Sequence, residues 1–204
     1  MLCNKNTRVA LIAGIILLFA SNLCMAQGVR SMVKWVVEKN SRLSVEGKSN
    51  VNTFTCNINE YAKKDTIHFV SDPTKPVRLH GNLQMDIMSF DCNSGMVTKD
   101  LRKTLKASTH PQMIIRFISL NCTPQLQKKT EHIKGWIQVE LAGVVKTFEI
   151  AYDFTVASDG YIQLNGARSF CFSDFKLTPP KKLAGLVKIK DGFDVNFQLV
   201  LRSI

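Results

Sequence analysis

The chain reads as an all-β protein whose antiparallel strands close into a barrel, with one short helix covering an end. Three observations predict this. Phe148, Ile150, Tyr152, Phe154 and Val156 alternate with Glu149, Ala151, Asp153 and Thr155, and the same alternation runs through Val77–Ile87 and Val195–Leu201. Successive side chains on a strand point to opposite faces, so each of these segments has one apolar face. The runs are also long: ten residues of strand span roughly 33 Å, more than a typical globular strand. Several long, one-sided strands must share one interior without exposing their edges, and closing the sheet does that.

The first residues stand apart from the fold. Lys5 and Arg8 precede the apolar run Val9–Ala20, and a short segment ends in the small residue Ala26. That order predicts a secretory signal peptide over residues 1–26, cleaved after Ala26, and a mature barrel domain over 27–204. The run is short for a membrane span. Cys24 follows Leu23, whereas a lipidated cysteine wants a small residue before it. The expected location is therefore the periplasm or the medium outside the cell.

The elements follow in order. Val33–Val37 is a strand, and Arg42–Val51 a second, with Leu43, Val45 and Val51 in phase. Phe54, Cys56 and Ile58 then take the opposite phase, which predicts a β-bulge near Asn52-Thr53. Ile67–Val70 is a strand stopped by Ser71-Asp72-Pro73. Val77–Ile87 uses odd positions and Met88, Phe90 and Cys92 even ones, so a second bulge is expected there. Val97, Leu101 and Leu105 recur every four residues, which is helical, and predict a helix over 98–107. Thr98 would cap its start and Pro111 ends the segment. Strands resume at Met113–Leu120 and Trp136–Leu141, with Gly143 in the turn before Lys146–Val156. Ser158-Asp159-Gly160 is a turn. Tyr161–Leu164 and Ser169–Leu177 are strands, the latter stopped by Pro179-Pro180. Asp191-Gly192 is a hairpin signal between Leu183–Ile189 and Phe193–Leu201.

Four cysteines lie beyond the leader: Cys56, Cys92, Cys122 and Cys171. An even count in an exported protein predicts two disulfides, with three connectivities open. The phase of Cys56 and Cys92 among apolar neighbours favours Cys56–Cys92 and, with it, Cys122–Cys171. The alternative is four small buried hydrophobes.

Formal charge is +11, and loss of Lys5 and Arg8 with the leader would leave +9. The basic residues are scattered, with no aromatic–basic stripe, so nucleic acid is not an expected partner. A basic surface that makes peripheral contact with anionic membranes fits better. His68, His80, His110 and His132 are not at metal-ligand spacing, and no CxxC occurs, so no metal is expected. No nucleophile or nucleotide-binding motif is present. Asp174, between aromatic residues, is the one candidate acid, but a hydrogen-bonded rim residue is the favoured reading of it. No catalytic residue, enzymatic activity or cofactor is expected.

The apolar inventory is what remains. Of twelve phenylalanines only Phe19 falls in the leader. A barrel of about eight strands is either filled or holds one small ligand, in a pocket lined by aliphatic and aromatic groups. The expected lining is Phe54, Leu83, Met85, Phe117, Phe148, Ile150 and Tyr152, with Phe154, Phe170, Phe172, Val195, Phe197 and Leu199.

Several segments also resemble a known family. Met96-x-x-x-Asp100-Leu101, Leu105-Lys106-Ala107, His110-Pro111 and Ile115-x-Phe117 resemble the helix-and-strand signature of YceI-like proteins. Leu141-Ala142-Gly143-Val144-Val145-Lys146 is similar to that family's central turn. Asp174-Phe175-x-Leu177-x-Pro179-Pro180, Gly185 and Val187–Leu201 are similar to its closing strands, and Ser49-Asn50-Val51 fits near the start. Val145 replaces the usual Thr and Lys176 a frequent Gly, which marks a divergent, cysteine-bearing bacterial member. The resemblance implies an extended lipocalin-like barrel, exported, that binds a polyisoprenoid chain or an isoprenoid quinone inside it. Two other readings stay open: a filled barrel serving as a structural or interaction module at the cell surface, and an enzyme acting on an apolar substrate through Asp174 or a histidine.

Overall fold

A computed structural model describes residues 31–72, 75–125, 130–157, 159–182 and 186–204. The expected leader lies outside them. Eleven strands form: β1 (Ser31–Val37), β2 (Arg42–Ser49), β3 (Thr53–Ile58), β4 (Thr66–Asp72), β5 (Lys75–Asp86), β6 (Gln112–Leu120), β7 (Glu131–Leu141), β8 (Val144–Val156), β9 (Ile162–Cys171), β10 (Lys181–Lys182) and β11 (Val187–Ser203). One α-helix, α1 (Gly95–Thr104), and two 3-10 turns, Ile87–Ser89 and Phe172–Phe175, complete the described elements.

The paired order β1-β4-β5-β6-β7-β8-β9-β11 closes on itself through β1 and β11, giving an eight-stranded antiparallel barrel. Closure depends on the length of β11. Its C-terminal residues Leu201–Ser203 pair with β1, and its N-terminal part, Ile189–Gln198, pairs along the same edge with β2. β1 and β2 thus form one long border interrupted at Glu38–Ser41. Ser41 holds that interruption, accepting from Val200 N–H at 2.9 Å. β2 then turns back into β3, which pairs along its free edge and widens the wall of the upper half (the upper end being the one with α1).

Several sequence expectations change here. The phase flip at Asn52-Thr53 is a hairpin, not a bulge. Lys48 pairs with Thr53 and Leu43 with Ile58, so odd residues of β2 face the same way as even residues of β3. The Ser49 hydroxyl shapes the turn by accepting from the N–H groups of Val51 and Asn52 at 3.1 and 2.9 Å. The second flip is the 3-10 turn at Ile87–Ser89, whose three-residue period brings Ile87 and Phe90 to the same buried side. The helix starts earlier than Thr98, after Ser94. Thr98 is buried instead, its hydroxyl accepting from Cys92 N–H at 3.0 Å.

The hairpin at Asp191-Gly192 does not form. A primed turn needs positive φ, and Gly192 does not have it, whereas Ala142 and Gly143 do, at 52° and 80°, and join β7 to β8. Asp191 is used otherwise, accepting from the N–H of Ser173 at 3.0 Å. β11 runs through this point with a register shift between Ile189 and Phe193. Ser169–Leu177 is likewise not one strand: β9 ends at Cys171 and a 3-10 turn follows. Leu183–Gly185 lie outside the described residues.

Cys56 and Cys92 form a disulfide, as the phase suggested. It joins β3 to the segment leading into α1, beside an isolated bridge between Asn57 and Asp91. The Cys122–Cys171 bond does not form. The register explains why. Asn121 bonds Lys134 of β7, which pairs with Ala151 of β8, whereas Cys171 lies four residues beyond Ala167, the partner of Ala151. Three strand spacings of about 4.8 Å also separate them, far beyond disulfide reach.

The interior has two halves. Below, Trp35 packs on Phe69 and Phe154, with ring centroids 5.1 and 5.9 Å apart, and Ile67, Ile162 and Leu201 fill the space between strands. Above, under α1, the walls do not meet.

Candidate functional site

The upper half of the barrel encloses an apolar cavity of about 90 Å³. That is smaller than the pocket of a drug-sized ligand, so a long chain enters only as wall side chains give way. Each long strand supplies alternate residues to the wall: Leu83 and Met85 from β5, Met113, Ile115 and Phe117 from β6, Ile137, Val139 and Leu141 from β7. β8 gives Ile150 and Tyr152, and β11 gives Phe193, Val195, Phe197 and Leu199. Leu43 and Val45 of β2 close the remaining side.

α1 is the roof. Leu101, and Leu105 just beyond the last turn, point down from positions four apart. The roof is tied at both ends of its run. Cys92, in front of it, is held by the disulfide and by Thr98. Arg102 donates to the carbonyls of Met88 and Phe90, at 2.5 and 2.9 Å, and so fixes the helix to the 3-10 turn.

Of the residues expected to line the interior, Leu83, Met85, Phe117, Ile150, Tyr152, Phe170, Phe172, Val195, Phe197 and Leu199 do line this cavity. Phe54, Phe148 and Phe154 do not. Phe54 lies across its β2 partner Gly47, where an added Cβ would meet the ring at 2.3 Å. Phe148 is packed edge-on against Phe170, at 4.9 Å, and against Phe175. Phe154 belongs to the filled lower half with Trp35.

Sequence reasoning missed one lining residue of a different kind. Arg168 lies in phase with Leu164, Gly166 and Phe170 on β9, and is the one charged group among the cavity's lining residues. Its guanidinium lies over the rings of Phe148 and Phe170, at 5.0 and 5.7 Å. One terminal nitrogen donates to the Glu149 carbonyl at 2.6 Å, while Nε is buried without a partner. The setting follows from the sheet: β8 and β9 pair only from Ala151–Ala167 to Val156–Ile162. Above that point the ladder stops, and Arg168 occupies the split. Its position in the apolar phase was the available signal, and an arginine there breaks the alternation that defines an inward face.

The titratable groups nearby serve structure. Asp174 accepts from Cys171 N–H at 2.9 Å and from Lys146 Nζ at 3.1 Å. The backbone donor, reinforced by Lys146 and Arg168, holds its carboxyl below the usual range against some desolvation. It is therefore ionised at neutral pH and is not poised to donate a proton. Desolvation, with Asp191 and Asp174 close by, pushes the Cys171 thiol up and keeps it protonated. Burial likewise raises Tyr152, so its hydroxyl stays neutral against the cavity. His68 and His80 pair across β4 and β5, and His132 bonds Asp153 on the exterior. Among the described residues no group of three or more His, Cys, Asp or Glu could hold a metal ion.

A model of the YceI-like domain matches residues 35–201 of the chain. Among solved structures, the polyisoprenoid binding domain from Saccharophagus degradans implicated in plant cell wall breakdown superposes with a TM-score of 0.59 at 12% identity, covering 83% of this chain and 98% of that one. Burkholderia cenocepacia BcnA superposes with a TM-score of 0.55 at 19% identity, covering 78% of this chain and 95% of that one. At such identities the likeness establishes the barrel fold. No curated protein matches the chain.

Proposed function

Because the chain belongs to the YceI-like family, we propose that its barrel binds one long apolar lipid, of the polyisoprenoid or isoprenoid-quinone type, in the cavity beneath α1. It carries or sequesters that lipid and catalyses no reaction on it. The observation that carries this reading is the cavity itself: an apolar hollow in an otherwise well-packed barrel, walled by aliphatic and aromatic side chains with one charged residue among them. A pocket of that composition recognises shape and apolar surface. Its occupant gains about 25 cal/mol for each Å² of apolar area withdrawn from water. A bilayer offers the same lipid an equally apolar home, so release into a membrane costs little, which suits a carrier. The description of the Saccharophagus degradans domain as polyisoprenoid binding supports the choice of cargo class.

The leader expected over residues 1–26 puts this function in the cell envelope or outside the cell. Contact with an anionic membrane would be made by the upper rim. Met88, Met96, Val51 and Leu186 are more than half exposed there, among the exposed lysines 48, 99, 103, 188 and 190. Organic extraction of the purified chain tests the proposal. An isoprenoid near one per chain is expected; a chain that stays empty after incubation with isoprenoid quinones would instead favour a filled barrel acting through its surface.

A further inference from the structure

The outer face of the barrel wall carries a second concave site. From the pair Arg78–Ser119 to the pair Gly81–Phe117, β5 advances three residues while β6 advances two. From Phe117–Ile137 to Ser119–Trp136, β6 advances two residues while β7 advances one. Ile118 therefore has no partner in the register of either neighbour. Two β-bulges coincide there, and bulges bend a wall and re-aim its side chains. Glycines let the strands crowd together on both sides. An added Cβ would meet the Thr66 carbonyl oxygen at 2.7 Å from Gly81, and the Ser119 carbonyl oxygen at 2.6 Å from Gly135. The result is a groove of about 760 Å³, open to solvent, in the size range of small-molecule sites.

Its lining has one sign of charge. Arg78, His80, Asn82, Arg116, Ser119 and Gln138 supply hydrogen-bond donors, and no carboxylate lines it. Arg116 is aimed by its neighbours, its terminal nitrogens donating to Glu140 Oε2 at 2.7 Å and to Gln138 Oε1 at 3.4 Å. Those bonds use two of the five N–H donors of a guanidinium and leave three. Among the described residues the side chains of Arg78, His80, Asn82 and Ser119 have no partner within the chain. Arg78 pairs with Ser119, three residues from Arg116, so the two cationic arms start roughly 10 Å apart along the wall. Two forks with neutral donors between them fit a molecule that carries more than one anionic oxygen group. We propose that this groove binds a small soluble polyanion of the organic diphosphate kind. The site is separate from the lipid cavity, which lies on the inner face. It is also far from the rim: Arg78 stands eight residues before Asp86, roughly 26 Å below the upper end of β5, so a bilayer meeting the rim does not reach it.

The test is a titration of the purified chain with inorganic pyrophosphate at physiological salt, followed by amide NMR. Binding should saturate, with the shifts centred on Ile118 and Ser119. Inorganic phosphate, which engages one arm at a time, should bind at least about tenfold more weakly, the size of one charge-assisted hydrogen bond. Arg78→Gln, at an exposed position, should weaken pyrophosphate binding by about tenfold on the same ground. Asn82→Asp places a carboxylate in the groove at constant volume and should abolish binding. Lys134→Gln removes an exposed cation outside the groove and should change binding by less than about twofold, because salt screens it. Arg78→Gln should also leave sedimentation with phosphatidylglycerol vesicles unchanged. Shifts that never saturate, equal affinity for phosphate, or equal losses in Arg78→Gln and Lys134→Gln would overturn the proposal, leaving only the general attraction of a basic surface. Vesicle binding that falls in Arg78→Gln while pyrophosphate fails to bind would overturn it too, and would make the groove part of the membrane-facing surface.

Discussion

Asp174 accepts from Cys171 N–H and Lys146 Nζ, and so caps the 3-10 turn that ends β9 and ties it to β8. Asp174→Ala should destabilise the fold at pH 7 by about 1 kcal/mol, as for loss of a capping carboxylate. The carboxyl is held below its usual value in the fold, so its contribution is present above the unfolded pKa of about 3.9 and lost as pH falls through the lower folded value. Denaturation curves of the two chains should therefore converge in acid; a gap that persists there would show that the residue acts by packing. Single residues were legible in the sequence wherever strict alternation governs them. Phe117, Ile150, Tyr152 and Phe197 were found by phase alone. Phe148 and Phe154 share that phase on β8 yet miss the cavity, because alternation reports the face and not the height along the barrel. Arg168 shares the inward phase of β9, which was the one signal for it; the split between β8 and β9 beside it is what no single strand reveals.

At the level of elements, the disulfide is the main clamp. Cys56–Cys92 closes a stretch of 36 residues and fastens the roof to the β2–β3 hairpin. The double substitution Cys56→Ser with Cys92→Ser should cost about 4 kcal/mol by loop entropy. It should also speed hydrogen exchange in α1, residues Gly95–Thr104, more than in β7 or β8. Uniform protection in the variant would show that Arg102 alone holds the roof. The long strands were legible because their periodicity runs over many residues. The turns were not. Both phase flips suggested bulges, yet one is a hairpin shaped by Ser49 and the other a 3-10 turn. Asp191-Gly192 resembles a hairpin in sequence, but β2 and β9 pair with β11 on either side of it, and those ladders outweigh a dipeptide preference. The second cysteine pair failed on register, which depends on how four strands stack.

As a whole, the molecule is a barrel packed solid at one end and hollow at the other, with basic and apolar side chains around the hollow end. Placement of the cavity required knowing that β1 and β2 share one edge of β11, a non-local fact no local pattern encodes. If the rim meets membranes, the protein should sediment with phosphatidylglycerol vesicles, and less so as salt is raised. Met96→Asp with Leu186→Asp should weaken that binding by about tenfold, since both remove apolar anchors; equal binding to uncharged vesicles would contradict the assignment. The claim on which everything rests is that the hollow end holds a lipid. The direct measurement is native mass spectrometry of the chain after incubation with an isoprenoid quinone, beside Val195→Trp, which fills the cavity from β11. One quinone per wild-type chain and none on the folded variant is the predicted result. An empty wild-type chain, or equal loading of the two, would contradict it.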